Sequence, residues 1–172
     1  MKYLFLLYLY LGTFLFSQSS LEVGMLASEW AFSDADGNMF KMENWSEKIL
    51  QINYVDPDKS EMNEEFNDRV KKAIDVDSLI SRDSFKGIGI ADCASSWKPD
   101  FLIQAIGGKK AKKFETTVLF DYSAVLRKSW NLDEDSYNVI ILDKDRVVRG
   151  LYKGKMTELE MDTALQLIIG LQ

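Results

Sequence analysis

Few side chains in this sequence could carry out acid–base, thiol or metal chemistry. The 172 residues include no histidine, which removes the commonest proton carrier at neutral pH and the usual base of serine and cysteine nucleophiles. The single cysteine, Cys93, allows neither an internal disulfide nor a Cys-x-x-Cys dithiol. Lys and Arg together number 21 and Asp and Glu 27, so the formal charge of −6 argues against nucleic-acid binding.

The thiol of Cys93 is the first candidate for catalysis. It comes just after an apolar strand pattern at residues 87–91, and as a lone thiol it could serve a peroxidase or a mixed-disulfide sensor. The neighbouring Asp92 disfavours a thiolate, and no histidine is present to activate it. We therefore predict an unreactive structural thiol, with a single-cysteine redox protein as the alternative.

A second candidate site is a run of alternating oxygen-bearing side chains. Asp56, Asp58, Ser60 and Glu64 have a spacing that suggests Ca²⁺ ligands, but Glu61 stands where the calcium-binding loop of an EF-hand requires glycine. Capping of a helix by Asp56 or Asp58 explains the same residues. We predict no metal ion and no cofactor, and only Asp56 and Asp58 remain as candidate Ca²⁺ ligands.

One group of basic residues, Lys109, Lys110, Lys112 and Lys113, follows a predicted helix end. Bases are favoured at such a position by the helix dipole. The same residues could contact an anionic envelope component. Among the four tryptophans, Trp97 is flanked by polar residues and is the one expected to be exposed.

Strand patterns and helix patterns alternate along the chain, and these elements must position the candidate residues. Strand patterns cover residues 30–33, 39–42, 48–54, 87–91, 116–120, 138–142 and 147–152. Helix patterns begin at the 56–58 corner, near 96–99, at 121 and at Thr157, whose Glu160 completes a capping box. The second of these helices is predicted to end at Gly107-Gly108.

This order predicts an α/β fold with a central mixed β-sheet flanked by helices. Strands joined through a helix are parallel because such crossovers are right-handed, whereas the first two and the last two strands form antiparallel hairpins. The sequence has no linker and no repeat between residues 20 and 172, which we interpret as a single domain.

The first 19 residues have the pattern of a secretory signal peptide. Lys2 precedes an uncharged, mostly apolar run at residues 3–16, and small residues Ser17 and Ser19 suit cleavage before Ser20. The run is short for a permanent membrane span. We predict an exported, periplasmic protein that meets the membrane only through this segment, if it is left uncleaved.

The element order resembles that of thioredoxin-like domains of the exported, peroxiredoxin-related branch, with an N-terminal β-hairpin and an inserted β-α unit. Within that branch, residues 129–136 (SWNLDEDS) and 139–145 (VIILDKD) resemble the W-x-L-D-E-x-S … V-V-L-D-K-D block of the YtfJ family of small exported bacterial proteins. The resemblance implies a thioredoxin-like fold but carries no established activity.

The chain departs from redox-active thioredoxins at both halves of their catalytic site. The redox thiols of such proteins lie between the first core strand and its helix, where this sequence has residues 55–60 (VDPDKS) and no cysteine. Ser136-Tyr137 stands where the fold has a cis-proline. Thiol–disulfide exchange and a peroxiredoxin reaction at the standard site are therefore excluded.

Together these observations predict a non-redox binding or accessory module of the periplasm whose partner is a protein or an envelope component. The partner surface is expected where segments 55–60, 92–98 and 133–137 meet at one edge of the sheet. The binding residues predicted there are Asp56, Pro57, Asp58, Ser60 and Tyr137.

Overall fold

The computed structural model describes residues 20–172, and within that range the chain forms one seven-stranded sheet. The strands are β1 (Ala31–Ser33), β2 (Met39–Lys41), β3 (Ile49–Val55), β4 (Phe85–Asp92), β5 (Thr117–Asp121), β6 (Tyr137–Leu142) and β7 (Val148–Lys153). The α-helices are α1 (Glu64–Asp75), α2 (Asp100–Phe114), α3 (Val125–Trp130) and α4 (Glu158–Gly170). The predicted signal peptide, residues 1–19, lies outside the described residues.

The strand order is β2-β1-β5-β4-β3-β6-β7. The central strands β3, β4 and β5 are parallel, whereas β6 runs antiparallel to β3 and β7 antiparallel to β6. The hairpin β1–β2 joins the sheet through β5. The predicted mixed α/β sheet with an N-terminal hairpin is thus confirmed.

The two faces of the sheet bury different apolar clusters because side chains alternate along each strand. From β3, Leu50 and Ile52 pack on the face covered by α3 and the N-terminal residues. Ile49 packs on the opposite face with residues of α1 and α4. A third, smaller cluster of Cys93, Ile103 and Phe120 joins α2 to the sheet.

Helix α2 corrects the prediction that this helix ends at Gly107-Gly108, because it continues to Phe114. Gly107 is buried, and a Cβ atom there would lie 3.0 Å from the side chains of both Val118 and Phe120. This glycine therefore allows the helix to approach β5 closely and does not end it. The actual C-cap is Glu115, with a left-handed φ of 50°.

Helix α1 begins later than the predicted corner at residues 56–58. Asp56 caps a single 3-10 turn, Pro57–Lys59, and the α-helix starts at Glu64. The capping box of Thr157 and Glu160 at the start of α4 is confirmed. Within residues 20–172, no helix combines the length and the apolar character needed to cross a membrane.

Candidate functional site

The carboxyl end of β3 meets the segment that precedes β6. The backbone N–H of Asp56 donates to the carbonyl oxygen of Ser136 at 2.9 Å. The side chain of Asp56 turns back on its own corner, where Oδ1 accepts from the backbone N–H of Asp58 at 2.7 Å. This Asx turn contains Pro57, whose ring restricts the backbone, and the two features fix the path of the chain away from the sheet.

The segment after β4 joins the same corner through Asp58. Its carboxylate is ion-paired with Lys98 and accepts a hydrogen bond from the Ser96 hydroxyl at 2.9 Å. Segments 55–60, 92–98 and 133–137 therefore lie together at one edge of the sheet. We call this surface the partner edge.

The predicted binding residues of the partner edge differ in accessibility. Asp58 is exposed and Ser60 is half-buried, whereas Asp56 and Pro57 are buried. Burial raises the pKa of Asp56, and the neighbouring carboxylate of Asp135 raises it further. Tyr137 is also buried, and its hydroxyl accepts a hydrogen bond from Asn67 Nδ2 at 2.8 Å beneath α1. Of this set, Asp58 and Ser60 are the residues that solvent or a partner can reach.

The thiol of Cys93 lies just after β4 and is shielded from solvent. The residue is 8% exposed and packs against Ile103 and Phe120, with Sγ 3.6 Å from the carbonyl oxygen of Ala91. Burial raises the pKa of the thiol to about 12, and the charges of Asp100 and Asp92 add to the effect. The local environment therefore favours the protonated, unreactive thiol.

A buried polar cluster lies beside Cys93, where β3, β4 and β5 end. Asp121 accepts hydrogen bonds from the Tyr54 hydroxyl at 3.0 Å and from the backbone N–H of Leu126 at 2.9 Å. Asp92, its register partner on β4, is 2% exposed and lies 2.8 Å from Nε of Arg127. Asp121 thus holds the start of α3, and Arg127 brings a positive charge to the buried Asp92.

A family model matches most of the described sequence. Residues 35–170 match the family described as "Bacterial protein of unknown function (YtfJ_HI0045)". This chain belongs to that family. The resemblance drawn from residues 129–145 is therefore confirmed, and no sequence among the curated proteins matches the YtfJ-family chain.

Solved structures place the fold of this YtfJ-family chain among thioredoxin-like proteins. The thioredoxin domain of a thiol-disulfide oxidoreductase from Bacteroides vulgatus is 13% identical, with a TM-score of 0.61 over 87% of this chain and 99% of that one. Peroxidoxin BcpB from Mycobacterium tuberculosis is 12% identical, with a TM-score of 0.64 over 88% and 99%. At these identities the similarity shows the fold alone, which confirms the predicted thioredoxin-like class.

The candidate Ca²⁺ ligands of the YtfJ-family chain have other partners. Asp58 is engaged by a lysine and a serine, and Asp56 by a backbone N–H. Among residues 20–172, no group of three or more acidic or cysteine side chains is placed to hold a metal ion.

The lysine cluster on α2 is partly neutralised. Glu64 of α1 is ion-paired with Lys110 at 2.7 Å and also with Lys113. These pairs tie α1 to α2, while Lys109 and Lys112 are exposed. The basic group that was predicted to follow a helix end thus lies within α2, and two of its four lysines contact a carboxylate.

The sequence patterns did not predict two of these contacts. They are the hydrogen bond of Tyr54 to Asp121 and the ion pair of Arg127 with Asp92. A signal for the carboxylates was present, since both follow apolar strand patterns and parallel strands end at the same sheet edge. Arg127 gave no comparable signal, because a short helix with no clear apolar period does not show which of its charged side chains turns inward.

Proposed function

We propose that this YtfJ-family chain is an exported, non-redox thioredoxin-like protein that serves as a binding or accessory module in the periplasm. The proposal rests on which residues stand at the position of the thioredoxin active site. The turn after β3 holds Asp56, Pro57 and Asp58 in place of thiols, and the single thiol, Cys93, is buried with its pKa raised to about 12. Thiol exchange needs an accessible thiolate, which this arrangement disfavours.

Exposed apolar side chains beside the partner edge support a binding role. Trp97, which precedes α2, is 84% exposed, and Phe101 in the first turn of α2 is 67% exposed. Large apolar side chains grouped on a surface are typical of sites that a protein partner covers. The proposed partner is therefore a protein that contacts Asp58, Trp97 and Phe101 together.

The non-redox part of the proposal is tested by comparing the wild-type chain with Cys93→Ser. Reduction of a protein disulfide and consumption of hydrogen peroxide are measured for both. We expect equal background rates, because the thiol does not reach solvent. A wild-type rate several times that of Cys93→Ser would overturn the proposal in favour of the single-cysteine redox protein.

The binding part is tested by site-specific photo-crosslinking in cells. A crosslinking residue is placed at Lys59 or Trp97 on the partner edge, and at Met39, an exposed residue of the distant strand β2, as the matched control. We expect one discrete adduct shared by positions 59 and 97 and missing at position 39. Adducts of the same mass and yield at all three positions, or adducts at none, would contradict a partner at this edge.

A further inference from the structure

A cleft of about 420 Å³ opens between the sheet and the two helices α1 and α2. It follows β3 from Lys48 to the turn at Pro57 and Ser60, and its floor is formed by β3 and β4. A strand of this length extends for roughly 20 Å. Clefts of this size are typical of sites for small molecules.

The cleft exists because two glycines stand on the central strand. Gly87 and Gly89 point to the helix side and are half-buried, although β4 lies in the middle of the sheet. A Cβ atom on Gly87 would meet nothing closer than 3.8 Å. The missing side chains leave space that the helices do not fill, and the apolar clusters on this face remain separate.

The charged side chains that line the cleft are mainly basic, whereas the chain as a whole is acidic. Among residues 20–172, the lining includes a single carboxylate, that of Glu115, against five cations, which are Lys48, Lys71, Arg82, Lys86 and Lys110. The whole chain, in contrast, carries a formal charge of −6. A basic cleft in an acidic protein raises the local concentration of an anionic ligand.

The basic residues cluster at the end of the cleft where β3 and β4 begin. The carboxylates of Asp75 and Glu115 already balance Arg82 and Lys71, and that of Glu64 balances Lys110. Lys48 donates to the carbonyl oxygen of Arg82 at 2.7 Å. Within residues 20–172, no carboxylate pairs with Lys86, whose ammonium lies 6.0 Å from the centre of the Trp45 ring. Because side chains alternate along β4, Lys86 leaves the strand on the face opposite to Gly87, and it lines the cleft where β4 begins, before β5 pairs with it. Lys86 therefore has capacity for an additional anion at this end of the cleft.

The polar side chains in the middle of the cleft form most of their hydrogen bonds with one another. Gln51 and Asn53 both donate to Asn67 Oδ1, at 2.9 and 3.1 Å. Gln51 is only 2% exposed, and its side-chain carbonyl finds no donor in the part of the chain that the structure describes. Apolar side chains, among them Val70, Ile74 and Phe85, form much of the remaining wall. Few groups are thus left to bind a peptide backbone.

An added peptide strand is also excluded at this floor. One edge of β4 pairs with β3 from Phe85 to Ala91, and the other pairs with β5 only from Ile88 to Asp92. The Thr116 hydroxyl donates to the carbonyl oxygen of Gly87, so the open edge is too short to add a strand. A ligand in the cleft therefore gains its binding energy from apolar contact with the walls and from charge at one end, and not from main-chain hydrogen bonds.

We propose that this cleft binds a small anionic amphiphile, with its acidic head at Lys48, Arg82 and Lys86 and its apolar body over Gly87 and Gly89. A long-chain carboxylate or phosphate monoester has this chemistry. One end of the cleft reaches Pro57 and Ser60 of the partner edge, whereas the proposed site for the acidic head lies at the other end. The proposal goes beyond the proposed function, and either can be true without the other.

The probe is dodecanoate, titrated into the full chain below its micelle-forming concentration and followed by calorimetry. Dodecyltrimethylammonium, which has the same chain and the opposite charge, is the ligand control. We expect saturable binding of dodecanoate and binding of the cationic probe that is weaker by about tenfold or more. Equal affinity for the two probes, or no saturable binding of dodecanoate, would overturn the proposal.

Two variants locate the probe within the protein. Gly87→Leu fills the floor of the cleft, and Lys86→Gln removes the unpaired cation. Loss of a charged hydrogen-bond partner weakens binding by about tenfold, and we expect at least this loss in each variant. Lys155→Gln, which removes an exposed lysine outside the cleft, should bind as the wild type does.

The variants also separate this cleft from other apolar surfaces. Binding that persists unchanged in Gly87→Leu and in Lys86→Gln would place dodecanoate elsewhere on the chain and contradict the proposal. If Gly87→Leu does not fold, Lys86→Gln against Lys155→Gln still decides the question. Tight binding of an acidic tetrapeptide in place of dodecanoate would show that the cleft takes a peptide, which also overturns the proposal.

Discussion

At the scale of single residues, the buried carboxylate of Asp92 is held by one cation. It is 2% exposed, and Oδ2 lies 2.8 Å from Nε of Arg127. Its Oδ1 has no hydrogen-bond donor among residues 20–172. Burial raises the pKa of Asp92, and the charge of Arg127 opposes that rise. The ionised form of Asp92 is therefore tolerated in the folded protein mainly because Arg127 is beside it.

Removing this cation should destabilise the protein and make its stability depend on pH. Arg127→Met leaves a buried charge without a partner, which costs about 3–5 kcal/mol of unfolding free energy at neutral pH. The pKa of Asp92 in the folded state then lies further above its unfolded value, so the folded state takes up the proton first. The loss should shrink as the pH falls through that raised pKa. Urea unfolding at several pH values measures both effects.

The matched control for this prediction is the double variant Asp92→Asn with Arg127→Met. It removes the titrating group, so the pH-dependent part of the loss should disappear. A loss in Arg127→Met that is the same at every pH, or that the double variant reproduces, would mean that packing of the Arg127 stem causes it.

At the scale of elements, the two adjacent glycines of α2 have different roles. Gly107 faces β5, and a Cβ atom there would meet Val118 and Phe120 at 3.0 Å. Such an atom on Gly108 would have no described residue within 4 Å. The first is needed for close packing, and the second only lowers the helix propensity. Glycine at these two positions therefore has opposite effects on stability.

The pair Gly107→Ala and Gly108→Ala tests this difference within one helix. Gly108→Ala should raise the unfolding free energy by about 1 kcal/mol through helix propensity. Gly107→Ala should lower it by about 1–3 kcal/mol, because the added methyl group forces α2 away from β5. Urea denaturation of both variants under the same conditions gives the comparison. Stabilisation by both substitutions would show that the contact with β5 is loose.

The same helix shows what the sequence can and cannot predict. The apolar strand patterns and the Thr157 capping box predicted the sheet and the start of α4, because these signals are local. A Gly-Gly pair is also a local signal, and it wrongly predicted a helix end, since the packing of Gly107 on β5 depends on a strand that comes later. The late start of α1 has a similar cause, because Asp56 and Pro57 form a turn of their own before the helix.

At the scale of the whole molecule, the order of the elements was sufficient to predict the thioredoxin-like fold. The same order predicted the candidate site only in part. The meeting of segments 55–60, 92–98 and 133–137 follows from parallel strands that end at one edge. The burial of Tyr137 and the cleft over Gly87 do not follow from order. They depend on the spacing between α1, α2 and the sheet, which the sequence pattern leaves open.

Export of this protein stays a prediction, because the predicted signal peptide, residues 1–19, lies outside the described residues. If residues 1–19 act as a cleaved signal, the protein isolated from the cell envelope should begin at Ser20 and lack Lys2. Mass spectrometry of the intact protein from cell fractions measures this. Lys2→Glu reverses the charge before the apolar run and should slow signal cleavage, whereas Lys155→Gln should not. A full-length mass in the cytosolic fraction would contradict export.

The central claim is that this thioredoxin-like protein works without a reactive thiol, and the pH dependence of Cys93 alkylation in the folded chain tests it most directly. With the pKa of the thiol raised to about 12, we expect a rate that rises through the alkaline range without a plateau and increases sharply on unfolding. Peroxide should form no sulfenic acid on the folded protein. A rate that reaches its plateau near neutral pH, together with ready oxidation by peroxide, would contradict the account and identify Cys93 as a redox thiol.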